Sequence, residues 1–394
     1  MKRAFASLRR ADAWTKAWSN AALVLSALGA GIARAQTPAP PTPTYVAPDS
    51  SASSGLNSSA ESIPSPSGQF QPSPPSVLPT NPGPSVFSAG PIIDDGWFTA
   101  ARRPGLYIDV EALLLHRDSH TIDQPLVYNA YTGNTVMTTH DLGFNQWAPG
   151  GRVTLGYRFN NGSAIEGVWF GFQDWNSSAS AFNPGSLTAP AGLGYYGYDW
   201  YQANGFRASY NSTLQNFEVN RVRPWGRMSL LAGFRYLSWN EYFDLNVTST
   251  VPSYVEHSDY TINTYNNLFG AQIGLRSQGD WNRWNWSFSE KVGLFGNEFW
   301  QRTLIQDYGN TYIGEDNWLS HAGVAFVNDF NISLGFRITD RAMLRAGYNL
   351  IWIDGLALAP NQLDFNVGAN SGTAHNHQGS VFLQGVNAGF QFLW

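Results

Sequence analysis

Apolar and polar residues alternate one by one along most of the chain after residue 97. The pattern is clearest in residues 381–394, where aromatic and aliphatic side chains fill one set of alternate positions and Gly, Asn and Gln fill most of the other. Such alternation is typical of a β-strand, because successive side chains point to opposite faces. A strand that is apolar on one face over about ten residues can line a transmembrane β-barrel. The sequence therefore predicts strands with a lipid-facing side and a polar inner side.

Ten segments share this pattern, and their number defines the expected fold. They are residues 105–116, 151–159, 163–173, 212–221, 227–241, 263–276, 284–297, 322–337, 342–353 and 379–394. We predict an all-β fold, an antiparallel up-and-down transmembrane β-barrel of about 10 strands with 12 as the alternative, since such barrels have an even strand number. A further hairpin is expected around residues 131–134, because Thr-Gly-Asn favours a turn.

The connections between these segments alternate between long and short. The long ones are residues 117–149, 174–211, 242–262, 298–321 and 354–378, and the short ones are residues 160–162, 222–226, 277–283 and 338–341. Outer-membrane barrels have long extracellular loops and short periplasmic turns. The alternation therefore predicts a bacterial outer-membrane location with both ends of the barrel in the periplasm.

The region before the barrel has two parts of different composition. A basic start, an apolar run over residues 21–33 and an Ala-x-Ala pattern that ends at Ala35 are together typical of a secretory signal peptide. The run is short for the alternative, a membrane-anchoring helix. Residues 36–96 are rich in Pro, Ser and Thr and lack hydrophobic periodicity, which predicts a disordered periplasmic tether. The expected domains are therefore 1–35, 36–96 and the barrel over 97–394.

Composition and motifs limit the cofactors, metals and partners that the chain can bind. The chain contains no cysteine, which excludes disulfides and thiolate metal sites, and its net charge of -5 argues against nucleic acid as a partner. No phosphate-binding loop, nucleophile elbow or His-Glu-x-x-His motif occurs. His375 and His377 are close in sequence, but two histidines make a weak metal site. We therefore expect no cofactor and no metal.

Charged residues at the inward positions of the predicted strands form a nearly balanced set. The acids are Asp109, Glu111, Glu166, Glu218, Glu241 and Asp329, and the bases are Arg152, Arg158, Arg235, Arg276, Lys291, Arg337 and Arg345. Unpaired buried charges are costly, and a barrel of this size has an interior that side chains can fill. We predict a narrow lumen filled by ion pairs. Glu290 falls on the lipid side of the pattern, which predicts a bulge or a slipped register there.

These features favour a barrel with a structural or limited porin-like role for small solutes or ions, and we expect no enzymatic activity. Two alternatives stay open. An outer-membrane hydrolase could use a rim histidine held by a carboxylate, for example His116 with Asp118 or His257 with Asp259. A secreted β-rich surface-binding protein would show the same strands without a lipid-facing band.

Several segments resemble the putative β-barrel porin family of planctomycete bacteria. They are residues 107–117, 231–237, 267–275, 347–360 and 381–394, and Asp329 stands where the family pattern leads us to expect Glu. The resemblance covers the barrel and implies fold and location more firmly than transport. The closing aromatics Phe390, Phe392 and Trp394 resemble the signal that the barrel-assembly machinery recognises. Expected partners are thus outer-membrane lipid, that machinery and, through the tether, the cell wall.

Overall fold

The computed structural model describes residues 104–190, 193, 199–226, 228–248, 258–307, 312–366, 372 and 375–394. The predicted signal peptide (1–35), the tether (36–96) and the first residues of the predicted barrel domain lie outside this part. Two short 3₁₀ turns occur among these described residues, at Thr139–Leu142 and Ala359–Gln362. The strands are β1 (Gly105–His120), β2 (Pro125–Asn129), β3 (Thr135–Thr138), β4 (Trp147–Arg158), β5 (Ala164–Thr188), β6 (Ala203–Trp225), β7 (Met228–Thr248), β8 (Ser258–Trp281), β9 (Trp284–Asp307), β10 (Tyr312–Arg337), β11 (Ala342–Leu356) and β12 (Gly379–Leu393).

Ten of the strands form a closed antiparallel ring. Starting at β1, the order round the ring is β1, β4, β5, β6, β7, β8, β9, β10, β11 and β12, and β12 pairs with β1 again. The remaining two strands, β2 and β3, form the expected hairpin and pair with the end of β5. Closure leaves the ring without an unpaired edge. The predicted up-and-down barrel is confirmed, with ten strands in the ring and twelve among the described residues.

The two ends of the barrel carry different connections. At one end, the short-turn end, the strands are joined by residues 159–163, 226–227, 282–283 and 338–341. At the other, the long-loop end, they are joined by residues 121–146, 189–202, 249–257, 308–311 and 357–378. Four of the five predicted long connections were drawn too long, because much of each is strand, whereas the connection after β11 is nearly as predicted. The prediction is wrong for the link between β9 and β10, which is short.

The strands were underestimated because their polarity pattern changes phase partway along. In β7 the even-numbered outward positions are apolar as far as Tyr236, whereas the odd-numbered inward positions are mostly apolar from Leu237 onwards. Neighbouring strands change phase at the same height, since Phe217 of β6 pairs with Tyr236 and Tyr236 pairs with Phe269 of β8. Beyond this height the outer face is polar, as expected where a strand has left lipid and meets water.

Below that height the outer surface is a continuous apolar band. Exposed side chains of this band include Leu106, Val110, Leu155, Val219, Phe234, Ile273, Leu294, Leu334, Leu344 and Phe390. Exposed tryptophans such as Trp225, Trp284 and Trp286 stand at its short-turn edge. An apolar band with an aromatic edge is typical of a surface that faces a lipid bilayer. Among the described residues, no helix is long and apolar enough to cross a membrane.

Glu290 faces outward within this band. The pairing of β9 with both β8 and β10 is regular on either side of Glu290, with Leu275 and Phe330 as its cross-strand partners. The predicted bulge or slip at this position is therefore wrong. The alternation itself is intact, and a carboxylate occupies one of its lipid-facing positions.

Candidate functional site

The barrel interior near the short turns encloses a cavity of about 1000 Å³, called here the inner cavity. Its edge is formed by turn residues such as Asn160, Asn161 and Gly226. Inward-facing polar side chains line its wall. The charged ones are Asp109, Glu111, Arg152, Arg158, Glu166, Arg276, Asp280, Lys291, Asp329 and Arg345. Ten strands thus leave room for a cavity, although most of the charges that surround it are neutralised.

Four charged side chains form a connected network deep in the barrel. Glu218 lies 2.9 Å from Lys291 Nζ and 3.7 Å from Arg235 Nε, while Asp329 lies 3.1 Å from both Lys291 Nζ and Arg235 Nη1. Glu218, Arg235 and Asp329 are almost fully buried. The four residues stand on β6, β7, β9 and β10, so the network links walls of the barrel that do not adjoin.

A second group of ion pairs lines the inner cavity. Arg276 of β8 donates two hydrogen bonds to Glu166 of β5, at 2.7 and 2.8 Å, and the Tyr107 hydroxyl donates a third at 2.5 Å. Two-pronged contacts of this kind fix the geometry of both partners. The other two pairs are Arg345 with Asp109 at 2.5 Å and Arg152 with Glu111 at 3.2 Å.

Two residues that form ion pairs in the interior were not predicted from the sequence to lie there. Arg117 was assigned to a loop, but it lies on β1 and contacts Glu241 of β7 at 3.0 Å. Both side chains are fully buried, and the Arg117 guanidinium also lies 4.9 Å from the ring centre of Tyr210. Arg337 contacts Asp280 at 3.4 Å, a residue that had been assigned to a turn. Longer strand boundaries would have placed both partners inside the barrel.

Arg158 is the exception among the predicted interior charges. Within the part of the chain that the structure describes, it forms no ion pair, and its guanidinium lies 5.6 Å from the ring centre of Tyr107, within reach of a cation–π contact. Every other predicted interior charge takes part in at least one ion pair. The structure therefore brings nearly the whole predicted set together across the lumen.

A layer of buried apolar side chains, called here the apolar layer, fills the lumen next to the charged groups. Sequence analysis missed it. All ten strands of the ring contribute at least one side chain, and the layer is contiguous. Its members are Leu113, Leu115, Ala148, Phe170, Trp175, Leu214, Leu237, Trp239, Leu268, Phe295, Ala325, Val327, Ile351, Ile353, Leu356, Leu358, Val381 and Leu383. A layer supplied by every wall spans the cross-section of the barrel.

The segment after β11 folds into the barrel and lies on this layer. Residues 357–366, called here the inner loop, are mostly buried. The Ala359 amide donates to Glu241 of β7 at 2.7 Å, and the side chain of Asn266 on β8 bonds both the amide and the carbonyl of Ala357, at 2.8 and 2.9 Å. These strands are three and four places round the ring from β11, so the loop crosses the lumen.

The long-loop end above the inner loop is also filled with apolar side chains. This second cluster joins β2 and β3 to strands β5–β9. Its buried members include Leu126, Met137, Leu142, Phe144, Leu187, Trp200, Phe206, Tyr210, Phe243, Leu245, Tyr260, Ile262 and Ile305. The half of the barrel near the long loops therefore resembles the core of a globular protein.

Histidines gather at the long-loop end. The rings of His321, His375 and His377 lie 4.2 to 6.0 Å apart around Phe299, so the structure adds a third histidine to the pair noted in the sequence. Partial burial and the two neighbouring histidines lower the pKa of His375. Over the described ranges, no group of three His, Asp or Glu side chains has the geometry of a metal site.

The structure also locates the proposed rim base. His116 points outward against Trp147, with ring centres 5.1 Å apart, and its Nδ1 finds no hydrogen-bond partner within the described residues. Asp118 therefore does not hold this imidazole. The other candidate, His257, lies outside the described residues, although its suggested partner Asp259 is on β8.

The C-terminal aromatics stand on the outer surface at the short-turn end. Phe390 and Trp394 are exposed, and the rings of Phe392 and Trp394 meet edge to face with centres 4.9 Å apart. The Trp394 amide donates to the carbonyl of Leu106 on β1, so the last residue is joined to the first strand.

Comparisons with known proteins found similar solved structures and one family model. Solved structures similar to this chain include the outer membrane protease OmpT from Escherichia coli, with a TM-score of 0.38, 10% identity, and coverage of 74% of this chain and 97% of that one. The translocator domain of the autotransporter NalP from Neisseria meningitidis gives a TM-score of 0.31 and 12% identity, covering 73% and 88%. A Pseudomonas aeruginosa FadL homologue gives 0.28 and 10%, covering 74% and 91%.

Comparison with curated proteins found no match. A family model does match, over residues 203–394, which contain β6–β12. That match includes four of the five segments on which the sequence resemblance rested, and it leaves 107–117 outside. The resemblance is thereby confirmed over this part of the barrel: residues 203–394 match the family described as Putative beta barrel porin-7.

Proposed function

We propose that this protein is a closed outer-membrane barrel with a structural or limited porin-like role, in which at most small solutes or ions pass. The observation that carries the proposal is the apolar layer to which all ten ring strands contribute. Ions and polar solutes need a wet, polar path, and an apolar constriction blocks them by excluding water. The inner cavity would then be a blind chamber rather than half of a channel.

Buried ion pairs support the same function because they hold the walls together. Arg117 and Glu241 stand on strands four places apart round the ring, and Glu241 also accepts the Ala359 amide of the inner loop. Opening a path here would separate buried charges, which is strongly unfavourable. The interior is therefore built to stay closed at rest, and we propose no enzymatic role for it.

We propose that the short-turn end faces the periplasm, as in outer-membrane barrels generally. Both the start of β1 and the end of β12 lie at this end, so the preceding tether and the C-terminus would be periplasmic. The tether would then be placed to contact the cell wall. A chain lacking residues 36–96 should lose any binding to isolated peptidoglycan that the full chain shows, and equal binding by both would contradict this role.

Conductance in a planar lipid bilayer tests the closed lumen. The full-length protein should show no large steady conductance, with at most brief small openings. A large, steady, ohmic conductance would overturn the proposal. Trp175 and Trp239, whose rings lie 5.5 Å apart in the apolar layer, offer a matched experiment. Replacing both by Ala should produce a steady ion conductance. Trp318→Ala, at an exposed outer position, should produce none.

We also propose that the C-terminal aromatics Phe390, Phe392 and Trp394 are recognised by the barrel-assembly machinery. Phe390 and Trp394 are exposed on the outer surface at the chain end, and Phe392 is half-buried beside Trp394. Replacing Phe392 and Trp394 by Ala should lower the amount of folded, heat-modifiable barrel in membranes, while refolding of the purified variant in detergent should proceed as for the natural chain. Equal losses in both settings would mean that the residues act on stability rather than on recognition.

A further inference from the structure

The lipid-facing surface carries a carboxylate at the middle of its apolar band. Glu290 is the fourth of seven outward positions on β9 between the short turn and the next outward acid, Glu298. The other six are Trp284, Trp286, Phe288, Val292, Leu294 and Gly296. Three positions that can face hydrocarbon therefore lie on either side of Glu290, so it stands far from both edges of the band.

Among the described residues of its own barrel, Glu290 has no polar partner. Its cross-strand neighbours are Leu275 and Phe330, and within the described residues it makes no hydrogen bond or ion pair. A carboxyl group among lipid chains is unfavourable unless it finds a hydrogen-bonding partner. Polar side chains in this position are therefore expected to mark a functional contact rather than a neutral surface.

The adjacent strand supplies a complementary group. Asn328 of β10 also points outward, opposite Val292, so it is the diagonal neighbour of Glu290. Within the described residues its side chain likewise has no partner, and an amide can donate two hydrogen bonds. The remaining outward positions of β10 in the band are apolar: Phe336, Leu334, Ile332, Phe330, Phe326 and Val324. One acceptor and one donor thus stand side by side on an otherwise apolar face.

We infer that the face formed by β8, β9 and β10 binds the same face of a second copy of this chain within the membrane. In a two-fold arrangement, the same surface meets itself, so Glu290 of each copy reaches Asn328 of the other. Each dimer then gains two hydrogen bonds between copies and leaves neither polar group to lipid. Ala271, which pairs with Leu294, and Gly296 are small outward residues further along the same face towards the long-loop end, and small residues allow two surfaces to approach.

Self-association of the full chain in lipid vesicles tests this inference. Two separately labelled populations are reconstituted at a series of protein-to-lipid ratios, and energy transfer between them gives the dissociation constant. The natural chain should associate. E290L and N328L should each raise the dissociation constant by about tenfold to a hundredfold, as expected for two hydrogen bonds between membrane-embedded surfaces. The double variant should add little to either single one, because both remove the same bonds.

Two further variants make the result specific. E290Q retains an acceptor and should associate like the natural chain, while E298L removes an outward acid beyond the band and should change nothing. Heat-modifiable gel mobility shows that each variant is folded. Absence of energy transfer in the natural chain, or an equal effect of E298L and E290L, would overturn the inference. Self-association does not depend on a closed lumen, so this test and the conductance test can fail separately.

Discussion

The two halves of the barrel interior differ in polarity although the same strands form both. Near the short turns, inward positions of β8 are polar, such as Gln272 and Arg276, and the outer face is apolar. Near the long loops, Ile262 and Leu268 point inward and the outer face is polar. Each stretch of strand needs one apolar face to bury. Where lipid no longer covers the outer face, the inward positions carry the apolar side chains instead. The lumen there is filled by a packed apolar core.

This comparison explains why most of the charges lie in one half of the interior and the closure in the other. In the short-turn half, burial against lipid leaves the interior free to hold ion pairs around a cavity. In the long-loop half, burial must occur inside, and the apolar layer follows. Closure of the barrel is thus a consequence of strands that extend beyond the membrane. Variants in the two halves should differ in a defined order.

The largest effect is expected from breaking the fully buried ion pair. Arg117→Ala leaves Glu241 charged where no water replaces the guanidinium, and the free energy of unfolding should fall by about 3–5 kcal/mol. Denaturant unfolding of the reconstituted barrel, followed by tryptophan fluorescence, measures this. The double variant R117M/E241L should recover much of the loss, because an apolar pair suits this environment. A loss below about 1 kcal/mol for Arg117→Ala would mean that water reaches the site.

A smaller loss should follow a cavity in the apolar layer. Leu268 is fully buried, and Leu268→Ala should lower the free energy of unfolding by about 3 kcal/mol because the packed surroundings cannot collapse around the missing atoms. Leu294→Ala removes the same atoms from an exposed, lipid-facing position and is the matched control. If both variants lost equal stability in the same unfolding assay, the long-loop half would not be a packed core.

The smallest of these effects is expected in the inner cavity. Arg276 is partly exposed there, and in Arg276→Gln the remaining Tyr107 hydrogen bond and cavity water still stabilise Glu166. We expect a loss of about 1 kcal/mol, below that of Arg117→Ala, since water screens charges at the cavity wall. Unfolding curves of the two arginine variants, recorded side by side, check the order. The reverse order would contradict the distinction between a wet half and a dry half.

Much of this fold could be predicted from the sequence, but only part of the candidate site. Alternation identified all ten ring strands, and the inward charges followed from it. Strand length was underestimated because the prediction rested on apolar residues at the outward positions, and these give way to polar residues partway along each strand. The signal was present, since the run from Leu237 to Val247 continues the alternation with the faces exchanged. This change of phase in the alternation places Arg117 and the apolar layer inside the barrel.

Other contacts could not have been predicted from local pattern. The Ala359 amide meets Glu241 only because the ring closes and the inner loop then crosses it, and the two residues are 118 positions apart in the chain. Glu290 is the opposite case, in which the local pattern was correct and was wrongly doubted. Its charge on the lipid-facing side led to the prediction of a bulge or slipped register. The strand pairing is regular there, and Glu290 is a charged residue at an otherwise apolar outward position.

The most direct test of the closed lumen uses the absence of cysteine from the natural chain. Single variants Ser289→Cys, in the inner cavity, and Leu237→Cys, in the apolar layer, are reconstituted in vesicles and treated with a membrane-impermeant, water-soluble thiol reagent from each side in turn. The account predicts that Ser289→Cys reacts from the short-turn side alone and that Leu237→Cys reacts from neither. Reaction of either cysteine from both sides would show a continuous water path and contradict the account.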